Sequence, residues 1–182
     1  MPSCQPSGSL DAETPRYKGL ALAAFFGIVI FLSKAFLPTP FDKLFVFVQA
    51  MALGIGTLLI RRFGATFVAV IGAMLTTIWR PSFVPFSLIF AILYGILIDS
   101  LVWGFRAKDV KGNPRKGRFV AAIVLSTAIV GLVTYYVSVF VAGVLPQRPF
   151  IELGIPILVG GTISGAVGAY LAISVWRRIV EF

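Results

Sequence analysis

The sequence predicts an all-α integral membrane protein, a bundle of six transmembrane helices with both termini on the cytoplasmic side. Three observations carry this. Of the 182 residues, 58% are hydrophobic and 13% charged, against roughly 25% charged in soluble domains, so most of the surface is built to avoid water. Apolar runs that meet or approach the about 20 residues needed to cross ~30 Å of hydrocarbon fall at six places. The cations are distributed unevenly between the segments that join those runs.

Residues 1–15 are rich in Ser, Pro and acidic residues and lack the basic-then-apolar order of a secretory signal. They read as a disordered cytoplasmic tail ahead of one transmembrane domain, 16–182. The spans are expected at about 18–36, 44–60, 65–79, 84–105, 119–144 and 151–175. The third is short, and Pro81 and Pro85 punctuate its exit. With six spans and the N-terminus inside, Arg16, Lys18, Arg61, Arg62, Arg106, Lys108, Lys111, Arg115, Lys116, Arg118, Arg177 and Arg178 are cytoplasmic. Lys34, Lys43, Arg80 and Arg148 lie outside. Twelve cations against four over short loops is the bias expected of this orientation, and a five-span or inverted arrangement would spoil it. The predicted location is the plasma membrane, multi-pass.

The outer connections, Leu37–Lys43, Arg80–Pro85 and Leu145–Pro149, are short and hold six of the eleven prolines. Proline lowers the entropy lost on ordering a loop, which suits a preformed mouth, although proline at helix ends is also ordinary in membrane proteins. The connection Arg106–Arg118 is polar and basic and is placed to touch anionic headgroups or an acidic partner.

Several function classes are excluded. The net charge of +9 belongs to short segments between apolar runs, where it sets topology, so nucleic acid is not an expected partner. There is no His and one Cys, Cys4, which leaves no intrachain disulfide, no His/Cys metal cluster and no Ser/His/Asp or Cys/His catalytic arrangement. No phosphate-binding loop of the GxxxxGK[ST] kind occurs. An enzyme is not expected, nor a cofactor. The chain is also short for the paired repeats of a secondary transporter.

Small residues four apart let helices approach closely in lipid. The first span carries Gly19, Ala23 and Gly27 on one stripe. The second carries Ala52 with Gly56 and Ala50 with Gly54, and the last carries Gly160-Ser164-Gly168-Ala172 and Gly161-Gly165-Ala169. The last-span stripes read as internal packing. For the first span, internal packing and docking to another membrane subunit both stand.

Ionisable residues within spans are the default functional candidates. Asp99 lies about two turns from the cytoplasmic end of the fourth span, where it either pairs with Arg106 or Arg62 or serves transport. Lys34, Arg80 and Glu152 sit near outer ends, where the cations can also snorkel. At similar depth lie Gln49, Thr76, Thr77, Trp79, Thr134, Tyr135 and Tyr136. Aromatic faces with a few polar groups are the composition of a small-molecule pocket. An aromatic belt at the headgroup level explains Trp79 and Tyr136 equally well. Asp99 and Glu152 favour a cationic ligand, whereas Lys34 and Arg80 favour an anionic one.

The six-span layout, the first-helix stripe, the block Leu59-Ile-Arg-Arg-Phe-Gly-Ala65, the short third helix with Ile71-Gly-Ala73, the Pro81–Pro85 turn, and Gly95 with Asp99 together resemble a known family over about residues 16–178. They are similar to the substrate-binding membrane component (S component) of energy-coupling factor (ECF) transporters, a branch of ABC transporters, and most of all to its thiamine/hydroxymethylpyrimidine members. The resemblance implies a vitamin or vitamin precursor bound in an outward-facing pocket, with a thiamine-like heterocycle favoured. It also implies docking through Gly19, Ala23 and Gly27 onto a transmembrane coupling subunit carried by two cytoplasmic ATPases, which would supply the ATP hydrolysis. Two other readings remain: a structural or assembly subunit of a larger membrane complex, and a small stand-alone permease.

Overall fold

The computed structural model describes residues 14–36, 46–60, 63–79, 84–109, 113–141 and 150–181. Among them the chain is all helical apart from one isolated β-bridge: α1 (Thr14–Ala35), α2 (Val46–Leu59), α3 (Gly64–Trp79), α4 (Val84–Gly104), α5 (Lys116–Tyr136) and α6 (Phe150–Glu181). A π-helical turn, Val137–Val141, continues α5. Each helix falls on one of the apolar runs. The expected 1–15 tail lies outside the described residues except for Thr14 and Pro15, which open α1.

The helix ends follow from local chemistry. Pro85 occupies the second position of α4, where its missing N–H has no intrahelical partner to lose. At the other end of α4, Arg106 adopts a left-handed φ of 47°. Its N–H donates to the Trp103 carbonyl, and the Ala107 N–H donates to the Val102 carbonyl at 2.9 Å. This is a Schellman stop with arginine at the position that glycine usually fills. The chain then makes a small antiparallel bridge, Lys108 to Pro114, and the Arg115 N–H closes it onto the Ala107 carbonyl. Lys116 and Arg118 therefore belong to the first turn of α5 and not to the loop expected there. The last helix is also longer than expected, with 32 residues and Pro156 inside it.

Contacts fix the directions. Gly19 of α1 meets the Leu59 carbonyl of α2, so these two run antiparallel. Gly27 meets Val68 and Ile71 of α3, while Gly72 meets Gly27 and Ile30, so α1 and α3 run parallel. Asp99 bonds the first turn of α3, Tyr94 bonds Thr127, and Gly161 and Gly165 face Thr127 and Val124. The helices thus alternate in direction through the bundle. Helix α2 touches all five others, and its run from Ala52 to Leu58 is buried throughout. Large exposed apolar side chains occur on each of α1, α3, α4, α5 and α6 and on none of the described α2 residues. Two stretches, Lys116–Tyr136 and Gly154–Arg178, are long and apolar enough to cross a membrane; Gly19–Ala35, Val46–Leu59, Gly64–Trp79 and Leu88–Gly104 are shorter apolar helices.

The first-helix stripe is not a free docking face. Ala23 is 0% exposed, and a Cβ added at Gly27 would lie 2.8 Å from Cγ2 of Ile71 and 3.3 Å from the Val68 carbonyl. Gly19, Ala23 and Gly27 let α1 approach α2 and α3, so of the two roles weighed for this stripe the fold uses internal packing. The last-span stripes likewise pack inward: Gly168 lies against Ala50 and the Phe47 carbonyl, and Gly165 against Thr127. Gly160 faces open space.

Candidate functional site

The alternating directions gather the candidate residues at opposite ends of the bundle. One end collects the C-termini of α1, α3 and α5 with the N-termini of α2, α4 and α6. Lys34, Gln49, Thr76, Thr77, Trp79, Thr134, Tyr135 and Tyr136 all belong to this end, as does Glu152 by its place in the first turn of α6. Arg80 lies outside the described residues. The described members of the expected outer set therefore belong to a common pole.

Asp99, the remaining binding candidate, lies at the opposite end, near the C-terminus of α4. Its Oδ1 accepts from the Ala65 N–H at 3.1 Å and, at 3.2 Å, from the Thr57 hydroxyl, which shares its one proton with the Leu53 carbonyl at 3.1 Å. Its Oδ2 accepts from the Thr66 N–H at 2.9 Å and from the Thr66 hydroxyl at 2.8 Å. A carboxylate at the N-terminus of α3 satisfies two of the donors that every helix start leaves open and meets the positive end of the helix dipole. Arg106 is exposed at the α4 stop and is not its partner, and Arg62 lies outside the described residues. Asp99 is thus a half-buried fastening of α3 to α4 and α2, and these bonds leave its oxygens little capacity for a ligand.

Lys108 completes this junction. Its ammonium donates to the Thr57 carbonyl and, at 3.4 Å, to the Ile60 carbonyl, closing the C-terminus of α2. Burial lowers its pKa from 10.5 to about 8, with the Asp99 carboxylate opposing the shift. Between the two caps, Phe63 adopts a left-handed φ of 58° and Gly64 runs so close to Gly56 that an added Cβ would overlap its carbonyl. The described residues of the block Leu59–Ala65, together with Gly95 and Asp99, form one interhelical junction: an added Cβ at Gly95 would lie 2.8 Å from Thr66 Cα. Thr57, Thr66 and Lys108 were not legible as its members.

At the other pole the side chains differ in placement. Trp79 is 63% exposed and sets its ring edge-on to Phe31, with centroids 6.3 Å apart. Tyr136 is 59% exposed and leans on Phe140. Both rings lie on the outer surface of the bundle. Tyr135, by contrast, is 4% exposed, and Lys34, Gln49, Thr77 and Thr134 are half-buried. The Thr76 hydroxyl is satisfied by its own helix at the Gly72 carbonyl, 2.7 Å away. The Thr77 hydroxyl is buried and has no hydrogen-bond partner among the described residues. Unpaired buried hydroxyls are costly and call for an explanation. The π-helical turn begins directly after Tyr136, with the Val137 N–H reaching the carbonyls of both Thr134 and Val133; such turns recur at functional sites. Among the described residues no group of three or more Cys, Asp or Glu could hold a metal ion.

Comparison with known protein families, curated proteins and solved structures finds no match to the chain. The class that the fold itself defines is an all-helical bundle with two membrane-length helices and a broad apolar exterior.

Proposed function

We propose that the chain is a six-span plasma-membrane protein with both termini cytoplasmic, and that it is the substrate-binding subunit of an ECF-type transporter for a vitamin or vitamin precursor. Support for the membrane part comes from three sides. Six helices alternate in direction, twelve cations against four favour one orientation, and large apolar side chains are exposed on all five helices around α2. Labelling engineered cysteines tests it. In a Cys4→Ser background, Asn113→Cys is expected to react with an impermeant maleimide only after the cell membrane is opened; reaction in intact cells would invert the topology.

The single observation that carries the binding part is Thr77. Its buried hydroxyl lacks a described partner at the pole where the half-buried Lys34, Gln49 and Thr134 and the π-helical turn also lie. A small heterocycle with a polar edge would satisfy it. Trp79 and Tyr136 then act as belt residues, and Tyr135 takes over as the aromatic candidate. The partners remain a transmembrane coupling subunit and two ATPases, met through a face other than the α1 stripe.

A thermal-shift screen of the detergent-purified chain against B vitamins and their precursors tests this reading, because a ligand that binds only the folded state raises stability by RT ln(1 + [L]/Kd). One heterocycle should shift wild type, and Thr77→Val should abolish the shift while leaving the unliganded melting temperature equal or higher. A monodisperse protein that responds to none of them would instead be an assembly subunit.

A further inference from the structure

We infer that the cytoplasmic end of the bundle holds a binding site for the phosphate of an anionic phospholipid headgroup, in the cleft between the start of α5 and the end of α6. A cleft of about 130 Å³ is lined there by Lys116, Tyr170, Ile173, Ser174 and Arg177. Two cations from two different helices converge on it, Ser174 adds a hydroxyl, and among the described residues no carboxylate is part of the lining. The backbone adds to the same field. Helix α5 starts at Lys116, Arg115 at its N-cap makes no side-chain capping bond, and no acidic residue stands in its first turn. The first-turn N–H groups and the positive dipole end therefore lack a side-chain cap beside Lys116, which lines the cleft. The carboxylate of Asp109, which precedes α5, is engaged by Arg115 at 3.3 Å.

The walls favour a lipid over a soluble anion. The cleft has room for a phosphate group. Ile173 makes an apolar wall and is itself buried. Tyr170 is 71% exposed, and Ile163, Val167 and Leu171 continue an exposed apolar strip along α6 away from the cleft. A phosphate seated between Lys116 and Arg177 would lay its acyl chains along that strip. Arg177 follows directly on the apolar run of α6, at the depth where a helix leaves hydrocarbon for headgroups.

This inference rests on the membrane reading above, and the experiment separates the two failures. Native mass spectrometry of the detergent-purified chain, titrated with phosphatidylglycerol or phosphatidylcholine, should show about tenfold tighter binding of the anionic lipid. The preference should vanish in Lys116→Gln/Arg177→Gln and persist in the charge-matched Arg118→Gln/Arg178→Gln. Equal loss in both double variants, or no preference in wild type, overturns the site. Displacement of the lipid by millimolar inorganic phosphate, with phosphate alone giving the same thermal stabilisation, assigns the cleft to a soluble anion and overturns the lipid assignment. Carbonate washing of membranes is read separately. Retention in the pellet leaves a negative lipid result to count against the site alone, whereas release into the supernatant overturns the membrane reading and this site with it.

Discussion

Oδ2 of Asp99 on α4 accepts both the backbone N–H and the hydroxyl of Thr66 on α3, at 2.9 and 2.8 Å. One oxygen thereby ties the first turn of a helix to its antiparallel neighbour, and the other oxygen extends the tie to α2 through Thr57. Asp99→Ala leaves the Ala65 and Thr66 N–H groups and the Thr66 hydroxyl without their acceptor, whereas the Thr57 hydroxyl keeps the Leu53 carbonyl at 3.1 Å; the cost should be about 2–4 kcal/mol, the sum of a lost cap and unsatisfied part-buried donors. Asp99→Asn keeps one acceptor oxygen and should lose roughly half as much. Reversible unfolding in mixed micelles would measure both, and an unchanged midpoint for Asp99→Ala would remove the fastening role.

Lys108 gives the same junction a pH dependence. Its folded pKa of about 8 lies below the ordinary 10.5, so between those values the unfolded chain keeps a proton that the folded chain has shed. Stability rises with pH wherever the unfolded state binds more protons, so this residue's contribution should grow from pH 8 to pH 10.5 and level off on either side. Subtracting the profile of Lys108→Met from that of wild type isolates the rise. A pH-independent difference would refute it.

The crossing of α2 and α3 tolerates no side chain at Gly64, where a Cβ would overlap the Gly56 carbonyl. Backbone has to move to admit it, so Gly64→Ala should cost at least about 1–3 kcal/mol, as overpacked cores do. Gly160→Ala, which meets nothing, should leave stability within about 1 kcal/mol of wild type. Chemical unfolding of the two variants side by side decides the matter, and equal effects would contradict the close crossing.

Tyr94 and Thr127 form a buried pair between α4 and α5, 2.7 Å apart. The Thr127 hydroxyl also donates to the Ile123 carbonyl at 2.8 Å, so its one proton is committed and Tyr94 is the donor of the pair. Tyr94→Phe removes a donor and leaves the threonine bonded, at a cost of about 0.5–1.5 kcal/mol. Thr127→Val strands the tyrosine hydroxyl and should cost more, about 1–3 kcal/mol. The double variant should be less destabilised than the sum, and strict additivity in a double-mutant cycle would refute the bond.

By itself the sequence determined the number of helices, their approximate limits and their chemical class, because apolar runs broken by Arg-Arg, Pro and Gly are local signals. The run Ala50–Leu59 needed no partner to be read as a helix. Only the tertiary structure decided what each small or polar residue does. The Gly19-Ala23-Gly27 stripe suited a partner subunit as well as α2 and α3, and packing chose the latter. Asp99 read as an intramembrane carboxylate in want of a role, and its role is set by Thr57 and Thr66, distant in sequence and brought close by the α2–α3 turn. Lys108 looked like one loop cation among several, and the bridge to Pro114 helps aim it at the end of α2. The physical reason is common to all three. Helix formation is governed by neighbours within one turn, whereas the partner of a side chain depends on which helix faces it, and that is fixed by packing across the whole bundle.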